Sequence, residues 1–190
     1  MSSLVLVTPP ATEPITLTIA KLHLRVDATT EDDLITTLIA AARQYLEAFT
    51  HRAFITQTWD YKLDGFPCDG GPLELPMPPA ISVTSVTYTA TDGTSTTWSS
   101  SLYTTSIPTG PMARMAYLVP AYSQIYPATR DVPDAVTVRF VAGYGAASAI
   151  PEMLIACIKE HVRANYGRGS EDRTEIMQWV DRNLWQFKSF

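Results

Sequence analysis

The N-terminal part of the chain repeats apolar residues with the period of an α-helix. One apolar stripe is formed by seven side chains at three- and four-residue steps: Leu34, Leu38, Ile39, Ala42, Tyr45, Leu46 and Phe49. The stripe predicts an amphipathic helix from Thr30 to about Thr50, with Thr30 as N-cap and Asp33 at the third helical position. A shorter helix is predicted from a Thr18 cap to Leu24. Such a stripe is typical of a core face, and a groove for a partner is the alternative.

The middle of the chain changes to β-branched, aromatic, proline and glycine residues, which favour strands broken by turns. The predicted strands are Phe54–Leu63, Ser82–Thr89, Ser101–Ile107, Arg114–Val119 and Ala135–Val141. Thr91-Asp92-Gly93 predicts a hairpin turn. Prolines around Leu73–Leu75 place that segment at a sheet edge or in an extended loop, because proline cannot donate to a ladder. Pairing of this edge with another subunit and an ordinary covered edge both stay open.

The C-terminal part returns to helical spacing. Pro151 fits the first turn of a helix that continues to Tyr166 and stops at Gly167. Ser170 is the predicted cap of a second helix, whose apolar stripe is Ile176, Val180, Leu184 and Phe187. Trp179, Trp185 and Phe190 fall off that stripe, so the segment is more aromatic than one packing face requires. Docking to a partner and packing within the chain are both compatible with this surplus.

These patterns predict one α+β domain over residues 1–190. A helical frame is expected from the N-terminal helices at 17–52 and the C-terminal helices and tail at 150–190, with a β-rich insertion at 53–149 between them.

Composition and charge narrow the classes of partner. The formal net charge is -5 and the pI is about 5.1, which argues against a basic phosphate-binding face. No apolar run has the length of a membrane helix, and the first residues lack the basic start of a signal peptide, so we expect no membrane partner and a cytoplasmic protein before assembly. The two cysteines, Cys68 and Cys157, are expected to be reduced thiols.

Candidate chemistry is sparse. Cys157 and His161 are four residues apart on one helical face, but the further ligands of a metal site are missing. Gly143-Tyr144-Gly145 lacks the remaining residues of a phosphate loop and is better explained as a turn between a strand and a helix. No Gly-x-Ser-x-Gly elbow is present. We therefore predict no enzyme, no cofactor and no metal.

The order of several segments resembles the head-tail connector, or adaptor, proteins of long-tailed phages and gene transfer agents, from Leu17 to about Tyr166. The segments that carry the resemblance are the Thr30 helix, Leu22-His23-Leu24-Arg25-Val26, Ile55-Thr56-Gln57-Thr58-Trp59, Leu63-Asp64-Gly65-Phe66-Pro67, Leu75-Pro76-Met77-Pro78-Pro79, Ser82–Tyr88 and Asp134–Gly145. None of these is a chemical motif, so the resemblance concerns architecture and assembly.

The resemblance implies a structural virion protein at the head-tail junction, present as a homo-oligomeric ring of commonly about twelve copies. Such a ring joins the capsid portal protein to a stopper or tail-completion protein, and double-stranded DNA passes through its lumen without specific binding. It also implies that the C-terminal region meets the portal, which gives these candidate portal-docking residues: Trp179, Leu184, Trp185, Phe187 and Phe190. We expect deletion of Trp179–Phe190 to leave the Thr30 helix and the β-rich insertion folded but to abolish attachment to the portal. The isolated chain is expected to be monomeric or weakly associated.

Two other classes of function stay open at this stage. A carbohydrate- or receptor-binding module of a tail structure would use aromatic residues as a stacking platform, and the candidates are Trp59, Trp98, Tyr103, Tyr117, Tyr122 and Tyr126. A hydrolase would depend on His51 or His161 as a base.

Overall fold

The computed structural model describes residues 2–167 and 170–189, without the side chains of residues 170–172. Its helices are α1 (Leu17–Leu24), α2 (Asp32–Thr50), α3 (Glu152–Tyr166) and α4 (Ser170–Leu184), followed by a short 3-10 turn at Trp185–Phe187. Its strands are β1 (Ser2–Thr8), β2 (Gln57–Leu63), β3 (Leu73–Leu75), β4 (Ala80–Thr89), β5 (Ser95–Trp98), β6 (Tyr103–Ser106), β7 (Ala116–Pro120) and β8 (Val136–Ala142). The mixed helix-and-sheet class predicted from the sequence is confirmed. None of the helices in the described ranges combines the length and apolarity needed to cross a bilayer.

The chain divides into two compact units. The strand unit contains residues 1–9 and 56–143, and the helical unit contains residues 10–55 and 144–190. The first strand therefore belongs to a different unit from the helices that follow it. The sequence patterns did not predict β1, although its run of Leu4, Val5, Leu6 and Val7 before two prolines is a strand signal.

The strand unit contains a five-stranded sheet of order β1-β2-β8-β4-β5 and a three-stranded sheet of order β3-β7-β6. All pairs are antiparallel. Strand β8 is central, and Val136, Val138, Phe140 and Ala142 alternate along its buried face, as expected for a half-buried strand. The predicted edge position of Leu73–Leu75 is confirmed, since β3 pairs only with β7.

The predicted Asp-Gly hairpin joins β4 to β5. Asp92 Oδ1 accepts hydrogen bonds from the Thr94 amide at 2.9 Å and the Thr94 hydroxyl at 2.7 Å. Gly93 has φ +91° and donates its amide to Ala90 O at 2.8 Å. A Cβ at Gly93 would lie 2.6 Å from the end of the exposed Arg130 side chain, which would have to shift, so it is the positive φ that favours glycine here. Strand β5 was missing from the predicted set because its four residues are polar except for Trp98.

The helical unit buries one continuous apolar cluster. Its largest fully buried side chains include Phe54, Ile35, Leu46, Leu154, Ile158 and Leu184. The predicted stripe of α2 is only partly right: Ile39, Ala42 and Leu46 are buried, while Leu34 lies 49% exposed at the start of the helix. The prediction that this stripe packs into the core is therefore confirmed for its central positions.

Two predicted N-caps are wrong. Helix α1 is capped by Thr16, whose hydroxyl accepts the Ile19 amide at 3.2 Å, so Thr18 lies inside the helix. Helix α2 begins after Glu31 without a side-chain cap, because residues before it form a turn in which the Asp32 amide donates to Thr29 O. Asp32 instead forms an ion pair with Lys21 at 2.6 Å. The first turn of α2 contains Asp32 and Asp33, whose charges suit the positive end of the helix dipole.

Two glycines follow β8, the last strand along the chain, as predicted. Gly143 and Gly145 have φ values of +124° and +103°, which are unfavourable for residues with a Cβ. This explains Gly143-Tyr144-Gly145 as a turn toward α3. Helix α3 then starts after Pro151 and ends at Gly167, which has φ -75° and so stops the helix without a left-handed cap.

Candidate docking surface on the helical unit

The five predicted portal-docking residues do not share one environment. Leu184 and Phe187 are 0% and 5% exposed and belong to the core of the helical unit. Trp179 and Trp185 are 39% and 59% exposed. Phe190 lies outside the described residues. Only the two tryptophans among the described members therefore offer apolar surface to a partner.

The expectation that the Thr30 helix stays folded after deletion of Trp179–Phe190 conflicts with the packing of the helical core. Val180, Leu184 and Phe187 from this segment are buried in the helical core. Loss of these side chains would open cavities, and each buried leucine replaced by alanine typically costs about 2–5 kcal/mol. Point substitutions of exposed residues, rather than truncation, are needed to separate docking from folding.

The turn that carries Trp185 is fixed against the end of α2. Arg52, itself 4% exposed, donates from Nε to the carbonyl oxygen of Phe187. The amide of Ser189 donates to Thr50 O at 2.9 Å. These bonds hold the backbone after α4, and the position of the exposed indole of Trp185 follows from that anchoring.

An aromatic and cationic contact orients the Trp185 ring. Its centroid lies 6.5 Å from that of Phe49 in an edge-to-face arrangement. Lys188 Nζ lies 4.9 Å from the Trp185 centroid and 5.6 Å from the Phe49 centroid. Each cation-π contact of this exposed kind contributes about 0.5–1 kcal/mol. The indole is therefore preorganised while more than half of its surface stays accessible.

Trp179 lies in a different place, on an open groove between α3 and α4 with one side chain from α1. The groove has a volume of about 860 Å³. Its apolar lining consists of Ile155, Ala156, Ile176 and Trp179, and its polar lining consists of His23, Glu152, Lys159, Glu160, Arg163 and Glu175. An apolar floor with a charged rim is the usual anatomy of a protein interaction site.

Part of the rim is already paired. Arg163 donates from Nε to Glu160 Oε2 at 2.8 Å, and its Nη2 lies 2.6 Å from the same oxygen. His23 Nε2 lies 3.3 Å from Glu160 Oε1 and forms an ion pair when the imidazole is protonated. Glu160 therefore links α1 and α3 at the rim, and the apolar floor beside it stays open.

A buried polar network fixes the end of α2. Glu47 Oε1 accepts the Phe54 amide at 2.8 Å, and Glu47 Oε2 accepts Arg43 Nη1 at 2.8 Å. Arg43 also donates from Nε to Glu13 Oε2 at 2.8 Å. Although burial alone would lower the pKa of Arg43, these carboxylates raise it above its ordinary value. The network is structural, because Arg43 and Glu47 are both less than a tenth exposed.

Two of the groups considered for catalysis or metal binding, Cys157 and His161, are buried in the helical unit. Burial, with the nearby charges of Glu160 and Asp181, raises the pKa of Cys157 to about 12. Burial, with the nearby positive charge of Arg173, lowers the pKa of His161. His161 is 8% exposed, and its ring packs on Tyr45 with centroids 4.9 Å apart. Among the described residues no group of three or more potential metal ligands is present.

The aromatic residues suggested as a stacking platform are distributed over several environments. Trp98 is 4% exposed, and Tyr126 stacks on Phe66 with centroids 4.9 Å apart. Trp98 also packs against Tyr103 at 5.0 Å. These rings bind the two sheets of the strand unit together, so their faces are occupied. Tyr122, by contrast, is 99% exposed.

Tyr122 and Ile125, at 99% and 85% exposed, form an apolar tip; Tyr122 is one of the predicted platform residues, whereas Ile125 was not among them. The loop is closed by the Gln124 amide, which donates to Ala121 O at 2.9 Å. On its far side Tyr126 donates its hydroxyl to Gly71 O at 2.8 Å, which anchors the loop.

The fold is shared with neck and virion components of gene transfer agent (GTA) particles. A chain described as "Neck of empty GTA particle computed with C6 symmetry" superposes with a TM-score of 0.79 at 18% identity, over 99% of this chain and 96% of that chain. A chain from "Virion of native gene transfer agent (GTA) particle" gives 0.77 at 20% identity, over 98% and 95%. A third, "Neck of native GTA particle computed with C12 symmetry", gives 0.70 at 19% identity, over 100% and 96%.

The sequence itself points to the same class. Residues 14–106 match the family of phage gp6-like head-tail connector proteins. This match confirms the resemblance to head-tail connector proteins that the order of segments predicted. No curated protein sequence matches the chain.

Proposed function

We propose that this chain is a structural adaptor of a virion neck, joining the capsid portal to a stopper or tail-completion protein. The observation that carries the proposal is the match of residues 14–106 to the head-tail connector family. The likeness of the whole chain to components of GTA particles supports the same role through the fold. In this role the protein is not an enzyme, and the burial of the Cys157 thiol, with its pKa raised to about 12, is compatible with that.

The proposed assembly is a ring of about twelve copies. Support comes from the similar neck structures, whose descriptions specify sixfold and twelvefold symmetry. A ring of identical subunits needs a heterologous contact, in which one surface of each copy meets a different surface of the next. Assembly in the host cytoplasm on the portal, followed by incorporation at the head-tail junction, completes the proposal.

Binding of the portal is assigned to the exposed tryptophans of the helical unit. Trp179 lies beside an apolar groove and Trp185 is held rigidly by the terminal turn, so both have the properties of interface anchors. Leu184 and Phe187 support this surface from the core rather than contacting the partner. The tip formed by Tyr122 and Ile125 belongs to the strand unit and is assigned to a different neighbour, the stopper or tail-completion protein.

The acidic balance of the chain fits a channel through which DNA slides. If about twelve copies each carry -5, the ring has a net charge on the order of -60. A surface of this sign does not retain phosphates as a basic surface would. Double-stranded DNA is accordingly proposed to pass without specific binding. A lumen that maps as strongly positive in the assembled ring contradicts this part of the proposal.

The direct test is removal of the chain from cells that produce the particle. We expect DNA-filled heads without tails by negative-stain electron microscopy, and tailed particles when the wild-type chain is supplied in trans. The purified head fraction also tests the order of assembly, because it should retain added chain only when portal is present. Normal tailed particles in the deletion strain, or retention of the chain by portal-free heads, would contradict the adaptor role.

A further inference from the structure

Strand β1 has a free outer edge. It pairs with β2 on one side, from Ser2 opposite Leu63 to Thr8 opposite Thr58, and it ends the five-stranded sheet on the other side. No strand in the described part of the chain pairs with that outer edge. Every second residue of an edge strand directs its amide and carbonyl away from the sheet, so this seven-residue edge is a template for another strand.

The side chains of β1 are also incompletely covered. Val5, Leu6 and Val7 are 44%, 41% and 39% exposed, and consecutive residues of a strand point to opposite faces. A continuous apolar run is typical of a strand buried on both faces. Here both faces of the strand are left partly open. A further strand alongside β1 would pair with the open edge and cover part of both faces.

The usual protection of an edge strand is absent from β1. Natural edges are guarded by charged residues, prolines or bulges that prevent pairing. Strand β3 shows this protection, with Glu74 exposed in its centre and prolines at positions 72 and 76. Between Ser2 and Val7, β1 contains neither a charge nor a proline. Its single register shift falls between Leu6 and Thr8, at its end.

The opposite edge of the same sheet is β5, and it is suited to a heterologous contact. Because every pair in the order β1-β2-β8-β4-β5 is antiparallel, the two outer strands run in the same direction. Pairing of β1 with a second β1 would create a twofold contact that closes at two copies. Pairing of β1 with β5 of the next copy uses two different surfaces and propagates around a ring. Strand β5 also contains no charge and no proline.

We propose that the outer edge of β1 pairs in parallel with the outer edge of β5 of a neighbouring copy, so that strand addition joins adjacent subunits. The occupant is thus a second copy of this chain. This inference rests on the proposed ring, because the ring supplies neighbours in a fixed cyclic relation. It goes beyond that ring by naming the strands that form the subunit contact.

Disulfide trapping in portal-bound rings tests the pairing. Val5→Cys is combined in turn with Ser95→Cys, Thr96→Cys and Thr97→Cys, all in a Cys68→Ser background that removes the exposed native thiol. Paired strands bring Cα atoms into the range of about 4.4–6.8 Å that a disulfide spans. At least one combination should yield a ladder of covalent multimers larger than dimers on a non-reducing gel. Each variant that carries only one of the two introduced cysteines should remain uncrosslinked.

A charge at the edge provides an independent readout. Val5→Lys should lower the yield of rings at least tenfold at equal protein concentration, since an edge lysine opposes strand addition. The matched control is Val5→Thr, which keeps a neutral β-branched residue and should assemble within about twofold of wild type. Chemical unfolding of both variants, followed by circular dichroism, should match wild type and so exclude misfolding as the cause.

The outcomes separate this inference from the ring itself. Rings seen by electron microscopy that give no ladder in any of the three combinations, and that also form with Val5→Lys, overturn the strand pairing and leave the ring intact. Dimers from Val5→Cys alone replace the proposed contact by a twofold β1 pair and likewise overturn it. Wild-type chain that forms no ring on portal removes the proposed function and this inference together.

Discussion

Replacing Trp185 by alanine removes an interface anchor while leaving the helical core in place. Trp185 is 59% exposed, and a tryptophan side chain buries up to about 250 Å², so roughly 150 Å² is available to a partner. At about 25 cal/mol per Å², burial of that area is worth at most about 4 kcal/mol. A loss of about 2 kcal/mol, typical of an interface anchor, would weaken binding of one copy to portal about 30-fold.

The cost of this substitution to the fold should be smaller. It removes the edge contact with Phe49 and the cation-π contact with Lys188, together about 1–2 kcal/mol. Binding of monomeric chain to immobilised portal and unfolding by urea measure the two effects separately. Tyr122→Ala is the matched control, because it removes an aromatic side chain that is 99% exposed in the other unit. If folded Trp185→Ala binds portal within twofold of wild type, the assignment of Trp185 to the portal is incorrect.

Three further predictions concern the fold. Glu47→Ala should lower the free energy of unfolding in urea by about 2–4 kcal/mol, because it removes one of the two carboxylates that pair with buried Arg43 and takes the acceptor from the Phe54 amide. Lys62→Ala, which breaks a partly exposed pair, should cost less than about 1 kcal/mol. At pH 8 a thiol reagent should modify the exposed Cys68 rapidly and Cys157 only after unfolding, and two equally fast thiols in native protein would contradict the burial. The arginine that hydrogen-bonds Asp60 lowers the pKa of this carboxyl, so its stabilising contribution is full above the ordinary aspartate pKa and is lost as pH falls through the lowered value. The difference in unfolding free energy between wild type and Asp60→Asn should therefore shrink in acid, and a difference independent of pH would refute this.

Hydrophobic periodicity predicted the long elements well, because burial of one face determines both the apolar spacing in the sequence and the extent of the element in the fold. The α2 and α3 stripes and the central strand β8 have strong apolar spacing, and each was located to within a few residues. The caps were less predictable. Thr16 and Thr18 carry the same side chain two residues apart, and only the backbone of the turn before α1 decides which hydroxyl reaches an amide.

The docking surface was predictable in composition but not in geometry. The surplus of aromatic residues from Trp179 onward was visible in the sequence, yet a stripe cannot show whether its last residues meet a core. Phe187 is buried because Arg52 and Thr50 hold the backbone around it, and these contacts join residues more than 130 positions apart. Ile125 was not predicted for a related reason, since the exposure of this tip depends on how Tyr126 anchors the loop.

The assignment of the first nine residues to the strand unit has a practical consequence for dissecting this protein. A fragment covering residues 56–143 would contain most of that unit but would lack β1, and the edge of β2 from Gln57 to Leu63 would be open. That fragment therefore has an unpaired sheet edge, which β1 occupies in the full chain. A synthetic peptide with the sequence of Ser2–Thr8 is its natural complement, and the two pieces form a split pair whose reassociation reports on the sheet without the helices. The same connectivity means that domain boundaries drawn as consecutive blocks along this chain would cut through a sheet.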